Sequence, residues 1–308
     1  MRRVAFCVVA LCLPASVLSV GEGAEPAGAP VQTTEQVWPS IDGGEVHCYP
    51  NFTDAPRGKE TRERLLTLGP KVDLATLIAP PGGPDSAEAK EFQRQIADQR
   101  AKDWAFHCRY RQDNARIVTN GRFPEVVFIG DSLTENWPAA HPGFFSSGYV
   151  GRGVSGQTSS QMVNRFYSDI VALKPRVAHI MAGTNDVNGA TGPSTEYDVL
   201  NNIKAMVDMA SFNHIAVVLA SIPPIDPSTR KPGFIPDPVV VSLNKRLREL
   251  ARERHLVFVD YYAVLNDGHG KLRSDLANDG LHPNRAGYEL MEPLARRAIA
   301  EAEAAAKK

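Results

Sequence analysis

From Val126 onward, short apolar runs alternate with amphipathic stretches, and this rhythm restricts the fold more than any other feature of the chain. The runs cover residues 126–129, 149–150, 176–181, 214–221 and 256–259. They are rich in β-branched side chains and too short for helices, as suits strands buried on both faces. Between them, residues 161–173 show helical spacing. So do Leu200, Ile203, Val207 and Ala210, and then Val240, Leu243, Leu247 and Leu250. A last helix, starting near Arg285, carries Met291, Leu294 and Ala298 inward. Strands alternating with helices predict an α/β fold, a parallel sheet with helices on both faces. Its crossovers are expected to be right-handed.

Each strand of such a sheet ends on one edge, where open α/β sheets place their ligands. Four segments fall there: Gly130-Asp131-Ser132, the glycine-rich 151–156, residues 182–186, and Asp279-Gly280-Leu281-His282. Taken alone, Asp131 and Ser132 fit a helix cap as well as a functional turn. Together the four segments satisfy acyl transfer. Ser132 is a weak nucleophile that needs a base. His282 supplies one, since an imidazole titrates near neutrality. Asp279, three residues earlier, can fix its tautomer. The tetrahedral intermediate needs preorganised donors. The Ser132 and Gly156 backbone N–H groups and the Asn185 amide are the candidates. Ser155 is a rival nucleophile, but Gln157 stands where a Gly-x-Ser-x-Gly elbow needs glycine. Asp131, Thr134 and Asp186 are read as structural, holding loops by local hydrogen bonds.

These blocks resemble those of the SGNH hydrolases, the GDSL esterase/lipase family. Its serine block resembles residues 130–133, its glycine block 153–158, its asparagine block 183–186 and its Asp-x-x-His block 279–282, in the family's order. The resemblance covers about residues 122–297 and leaves 22–84 unexplained. It implies a flavodoxin-like three-layer α/β/α fold with a five-stranded parallel sheet. It also implies a serine esterase working through an acyl-enzyme, with no cofactor. The family acts on lipids, thioesters and acylated sugars. Short-acyl esters or acetylated carbohydrate are the expected substrates; a lipase, a lysophospholipase and a thioesterase are the alternatives. A protein of another class, an inactive carbohydrate-binding module, would keep the fold without turnover. Residues 135–148, 187–193 and 222–238 are expected to line the pockets, with Trp137, Phe144, Phe145 and Phe234 as apolar walls.

Several functions are set aside on composition and spacing. With 34 Lys and Arg against 35 Asp and Glu, the chain offers no polyanion surface, and no nucleic-acid partner is expected. His141, His179, His214, His255 and His269 show no metal-ligand spacing with carboxylates. Residues 151–156 only partly match a dinucleotide loop, and Gly-Lys-Ser/Thr is absent.

The amino-terminal third reads differently. Residues 1–21 have the form of a signal peptide: Arg2 and Arg3, an apolar middle, and small residues at Ser19 and Gly21. The apolar run is too short to serve as a stable membrane span. Bulky Leu11 before Cys12 argues against lipid attachment. The expected location is therefore secreted or periplasmic. Residues 22–84 are read as a flexible lead-in and an irregular extension, and 85–308 as the hydrolase domain with a helix packed before it. That helix, over 86–108, is expected to turn Ala89, Phe92, Ile96, Ala97, Ala101 and Trp104 toward the core. Cys48 and Cys108 are expected to pair, stabilising the fold by roughly 4 kcal/mol.

Overall fold

The computed structural model describes residues 36–41, 45–48, 56–67, 85–146, 148–226 and 235–306. The strands β1 (Gln36–Pro39) and β2 (Glu45–Cys48) pair antiparallel as a small ribbon. A helix, Pro56–Leu66, follows. The ribbon and this helix lie in the stretch that the sequence reads as irregular. The helices Ala87–Lys102 and Arg111–Asn120 lead into β3 (Val126–Gly130). The remaining strands are β4 (Tyr149–Gly153), β5 (Val177–Met181), β6 (Ala216–Ala220) and β7 (Val257–Val259).

All five pair in parallel, in the order β4-β3-β5-β6-β7. This is the flavodoxin-like order, and its switch point lies between β3 and β5. The pleat explains the two cores. Val127, Ile129, Ala178, Ile180, Val217 and Leu219 face one way, against the helices Ser159–Asp169, Glu196–Phe212 and Asp237–Glu253. Val126, Phe128, Val177, Met181, Val218 and Ala220 face the other way, against Ser132–Ala140 and Arg285–Ala305. Successive side chains point to opposite faces, so an unbroken apolar run serves both layers.

Several expectations are corrected. β4 runs on through Gly151-Arg152-Gly153, read in the sequence as a loop. A Cβ at Gly153 would run into the Glu135 backbone nitrogen, and one at Gly151 would come within 2.9 Å of Pro138 Cγ. The helix Ser132–Ala140 crosses β4 so closely that only glycine fits beneath it. Residues 135–148, expected as a pocket loop, form the helices Ser132–Ala140 and Pro142–Phe145 instead. Trp137 and Phe144, expected as pocket walls, are wholly buried. Their rings lie 5.6 Å from Phe128, and Trp137 packs 5.5 Å from Tyr288. Phe145 packs at the edge of the same aromatic cluster, 5.1 Å from Phe128. These aromatics fill the second core. Phe234 and residues 1–21 lie outside the described residues.

The packing helix also differs. Ala97 and Ala101 are exposed, and Trp104 is 44% exposed, while the side chains of Ala89, Phe92 and Ile96 lie outside those described. The turn after this helix is attached by polar bonds: Gln157 Nε2 donates to the Ala105 carbonyl at 3.0 Å and Gln161 Nε2 to that of Trp104 at 2.7 Å. Cys48 and Cys108 form a disulfide that ties β2 to this turn. Among the described residues, no helix is long and apolar enough to cross a membrane.

Candidate active site

β3 delivers the serine. Gly130 closes it, and a Cβ there would collide with the Thr134 side chain and sit 2.8 Å from the Met181 carbonyl oxygen. Asp131 caps the next helix, its Oδ1 accepting the Leu133 N–H at 2.9 Å. Ser132 is the first residue of that helix and is 8% exposed. The cap and the functional turn are therefore one structure.

Asp279 and His282 come from the turn before the final helix. Asp279 Oδ1 accepts two backbone N–H groups, Leu281 at 3.0 Å and His282 at 2.8 Å. Its Oδ2 lies 2.6 Å from His282 Nδ1. His282 Nε2 lies 2.9 Å from Ser132 Oγ. Burial opposes ionisation of Asp279, but the neighbouring His282 and these hydrogen bonds outweigh it and hold the carboxyl at about 2. An ionised carboxylate only accepts, so Nδ1 carries the proton and the Nε2 lone pair faces the serine hydroxyl. An imidazole so oriented can take that proton.

Asn185 sits in the short helix Thr184–Val187 after β5. Its Nδ2 donates to the Gln157 carbonyl at 3.1 Å and to Asp131 Oδ2 at 3.3 Å. Asp131 thus spans the serine and asparagine blocks across the switch point. Burial raises its pKa to about 6, against the opposing Leu133 N–H bond and the attraction of His282. Asp186 accepts the Ser159 N–H at 2.9 Å and its hydroxyl at 2.6 Å, as its structural reading requires. Thr134 departs from that reading. Its buried Oγ1 has no hydrogen-bond partner among the described residues and packs against Gly130 instead.

Gly156 has φ +80°, a conformation in which a side chain is strained. Its N–H has no acceptor among the described residues. It closes the turn after β4, where Val154 N–H donates to the Gly130 carbonyl at 3.0 Å. Ser155 Oγ is bonded to Glu135 and, among the described residues, has no imidazole partner.

Sequence reasoning missed the residues that hold these blocks together. Arg165 is fully buried and donates to Gln157 Oε1 at 2.6 Å, Asp169 Oδ2 at 2.8 Å and the Gly130 carbonyl at 3.0 Å. Its only sequence signal is an acidic residue four positions later. Asn278 Nδ2 donates to the carbonyls of Arg64, at 2.8 Å, and Thr67, which fastens the Asp279–His282 turn to the helix Pro56–Leu66. Nothing in a lone asparagine signals this. Among the described residues, no group of three or more His, Cys, Asp or Glu side chains could hold a metal ion.

Comparison with known proteins gives concordant findings. A family model described as GDSL-like Lipase/Acylhydrolase family matches residues 128–290. The chain is 39% identical to an assigned acylhydrolase of Bacteroides fragilis, over 66% of this chain and 99% of that one, with a TM-score of 0.60. It is 37% identical to a GDSL-like lipase of Bacteroides thetaiotaomicron, over 65% of this chain and 100% of that one, with a TM-score of 0.61. No curated protein matches it.

Proposed function

The chain belongs to the GDSL-like lipase/acylhydrolase family, and we propose that it is a serine esterase that cleaves short-acyl carboxylic esters through an acyl-enzyme. The observation that carries this is the unbroken hydrogen-bonded line from Ser132 Oγ to His282 Nε2, at 2.9 Å, and from His282 Nδ1 to Asp279, at 2.6 Å.

In this reading, His282 Nε2 accepts the Ser132 proton as Oγ attacks the ester carbonyl. The carbonyl π electrons move to oxygen, and the oxyanion is met by the Ser132 and Gly156 N–H groups and by the Asn185 amide, whose long bond to Asp131 Oδ2, 3.3 Å, gives way to it. Asp279 stabilises the imidazolium. When the tetrahedral intermediate collapses, the C–O bond to the alcohol breaks and His282 protonates the leaving oxygen. Water then attacks the acyl-enzyme with the same histidine as base, releasing the acid and restoring the Ser132 hydroxyl.

The preference for short acyl groups rests on what surrounds the site. Trp137 and Phe144 are core residues and unavailable to an acyl chain. The neighbouring groups are polar: Thr158 Oγ1 lies 3.0 Å from Ser160 Oγ and 3.2 Å from Thr191 Oγ1, beside the Gln157 carbonyl that Asn185 holds. A polar neighbourhood of this kind favours a polar alcohol portion, such as an acetylated carbohydrate, over a lipid. A series of p-nitrophenyl esters from acetate to palmitate tests this, with Ser132→Ala as the control. Falling kcat/KM beyond butyrate is the expected result. A rise toward long chains would make the protein a lipase. Absence of turnover, with no fluorophosphonate labelling, would leave only a binding module. Export, inferred from residues 1–21, would be tested by the amino-terminus of the mature protein in its host.

A further inference from the structure

Glu135 has a buried carboxylate with no part in the steps above. It lies three residues after Ser132, one turn along the same helix, and its side chain is 2% exposed. Burying a carboxylate is costly unless charges and donors match it, and here both are supplied. Oε2 accepts the Ser155 backbone N–H at 2.8 Å and also the Ser155 hydroxyl. Oε1 faces Arg109 Nη2 at 3.1 Å and Arg62 Nη2 at 4.0 Å. Arg62 belongs to the helix Pro56–Leu66 and also donates to Asn136 Oδ1, at 3.2 Å. Arg109 adjoins the disulfide-bonded Cys108. Both arginines precede residue 128, where the family match begins.

Resting on the reading of Gly156 as an oxyanion donor, we propose that Glu135 is the positioning residue of the Ser155–Gly156 turn, held in place by two arginines that precede β3, Arg62 from the amino-terminal extension and Arg109 from the turn at the disulfide. The turn carries the Gly156 N–H between two fixed points. Before it, Val154 N–H is bonded to the Gly130 carbonyl; after it, the Gln157 side chain is gripped by Arg165 and by the Ala105 carbonyl. Between these points, Ser155 is exposed, and Glu135 accepts both of its donors. Among the described residues only Arg100 Nη2, at 3.9 Å, approaches the place of the missing Cβ of Gly156, and the Gln157 N–H closes the turn on the Val154 carbonyl at 3.2 Å. Without Glu135, the bond from Gln157 to Val154 still closes the turn but does not fix its central Ser155–Gly156 peptide, which can rotate, and the Gly156 N–H loses its aim. Glu135 touches no substrate. It couples the helix that bears Ser132 to the turn that receives the oxyanion.

The test uses full-length protein with Glu135→Ala, Glu135→Gln and Ser155→Ala. Initial rates on p-nitrophenyl acetate are normalised to active sites titrated with a fluorophosphonate. Glu135→Ala is expected to lower kcat by roughly ten- to a hundredfold, on the scale of an ångström-sized misplacement. KM should stay within about twofold, because the lost interaction is made in the transition state. Glu135→Gln keeps an oxygen for the Ser155 N–H and should recover part of the loss. Ser155→Ala removes only the hydroxyl bond and should cost a few-fold. If Glu135→Ala does not fold, the other two variants decide. Wild-type kcat per active site in the folded variants, or a loss confined to KM, would overturn the proposal and leave the esterase reading intact. A wild-type protein without ester turnover would overturn both.

Discussion

Replacing Asp279 with asparagine exchanges one carboxylate oxygen for an NH2 group and tests the site more sharply than a deletion. The structure dictates how the amide must sit. Oδ1 of Asp279 receives two backbone N–H groups, from Leu281 and His282, at 3.0 and 2.8 Å. Those donors are fixed in the turn, so the asparagine oxygen takes that place and its NH2 group faces His282 Nδ1. Nδ1 must then accept, which moves the imidazole proton to Nε2. Nε2 now points a donor at Ser132 Oγ, where the mechanism needs a lone pair. An amide in place of the triad carboxylate lowers kcat by about 10⁴, or about 5.5 kcal/mol at about 1.36 kcal/mol per decade. The assay is kcat on p-nitrophenyl acetate for the folded variant, with ¹⁵N NMR of the His282 ring to read the tautomer. The expected result is a drop of three to four decades, with the proton on Nε2. A variant that keeps its Nε2 proton and retains more than a tenth of wild-type kcat would refute the reasoning.

Other consequences follow from named groups. Asn185→Ala should lower kcat about a hundredfold or more, the scale of one lost oxyanion donor; an unchanged single-turnover acylation rate would reject that role. Trp137→Ala should cost about 3–5 kcal/mol of stability, as for a buried aromatic, and leave the acyl-chain preference unaltered. A changed chain-length profile in ester assays would return Trp137 to the pocket. His179 is buried against Phe128, and burial lowers its pKa to about 3. The unfolded chain takes up the proton below about 6.5 and the folded one does not, so stability is full above that pH and falls as pH drops toward 3. Urea unfolding should show His179→Phe losing about 2 kcal/mol less than wild type between pH 7.5 and 5, and equal losses would contradict this.

The five strands and the later helices were legible because burial on two faces demands unbroken apolar runs, which no helix or loop of that length needs. The convergence of Ser132, Asn185 and His282 was legible for a topological reason. Parallel strands end together, so separation in sequence says nothing against proximity. The glycine block was misread because glycine signals a turn, yet Gly151 and Gly153 lie in a strand beneath a helix that leaves no room for a Cβ. The helix Arg111–Asn120 escaped notice because its one buried residue, Asn114, is polar. Asn114 bonds Asp169 at 2.6 Å and receives Arg152 at 2.9 Å, a face without apolar periodicity. Trp137 and Phe144 show the limit of composition. An aromatic residue near a catalytic motif looks the same in sequence whether it lines a pocket or fills the layer below it. Glu135 was invisible because its partners come from other segments, and of the partners of Arg165 only Asp169, four residues on, leaves a mark in the sequence.

The central claim is that His282 makes one serine hydroxyl nucleophilic. Its most direct measurement is reaction of the full-length protein with a fluorophosphonate, followed by peptide mass mapping. The expected result is a single adduct on Ser132, lost in His282→Ala. No adduct, or an adduct on Ser155 or another serine, would contradict the account.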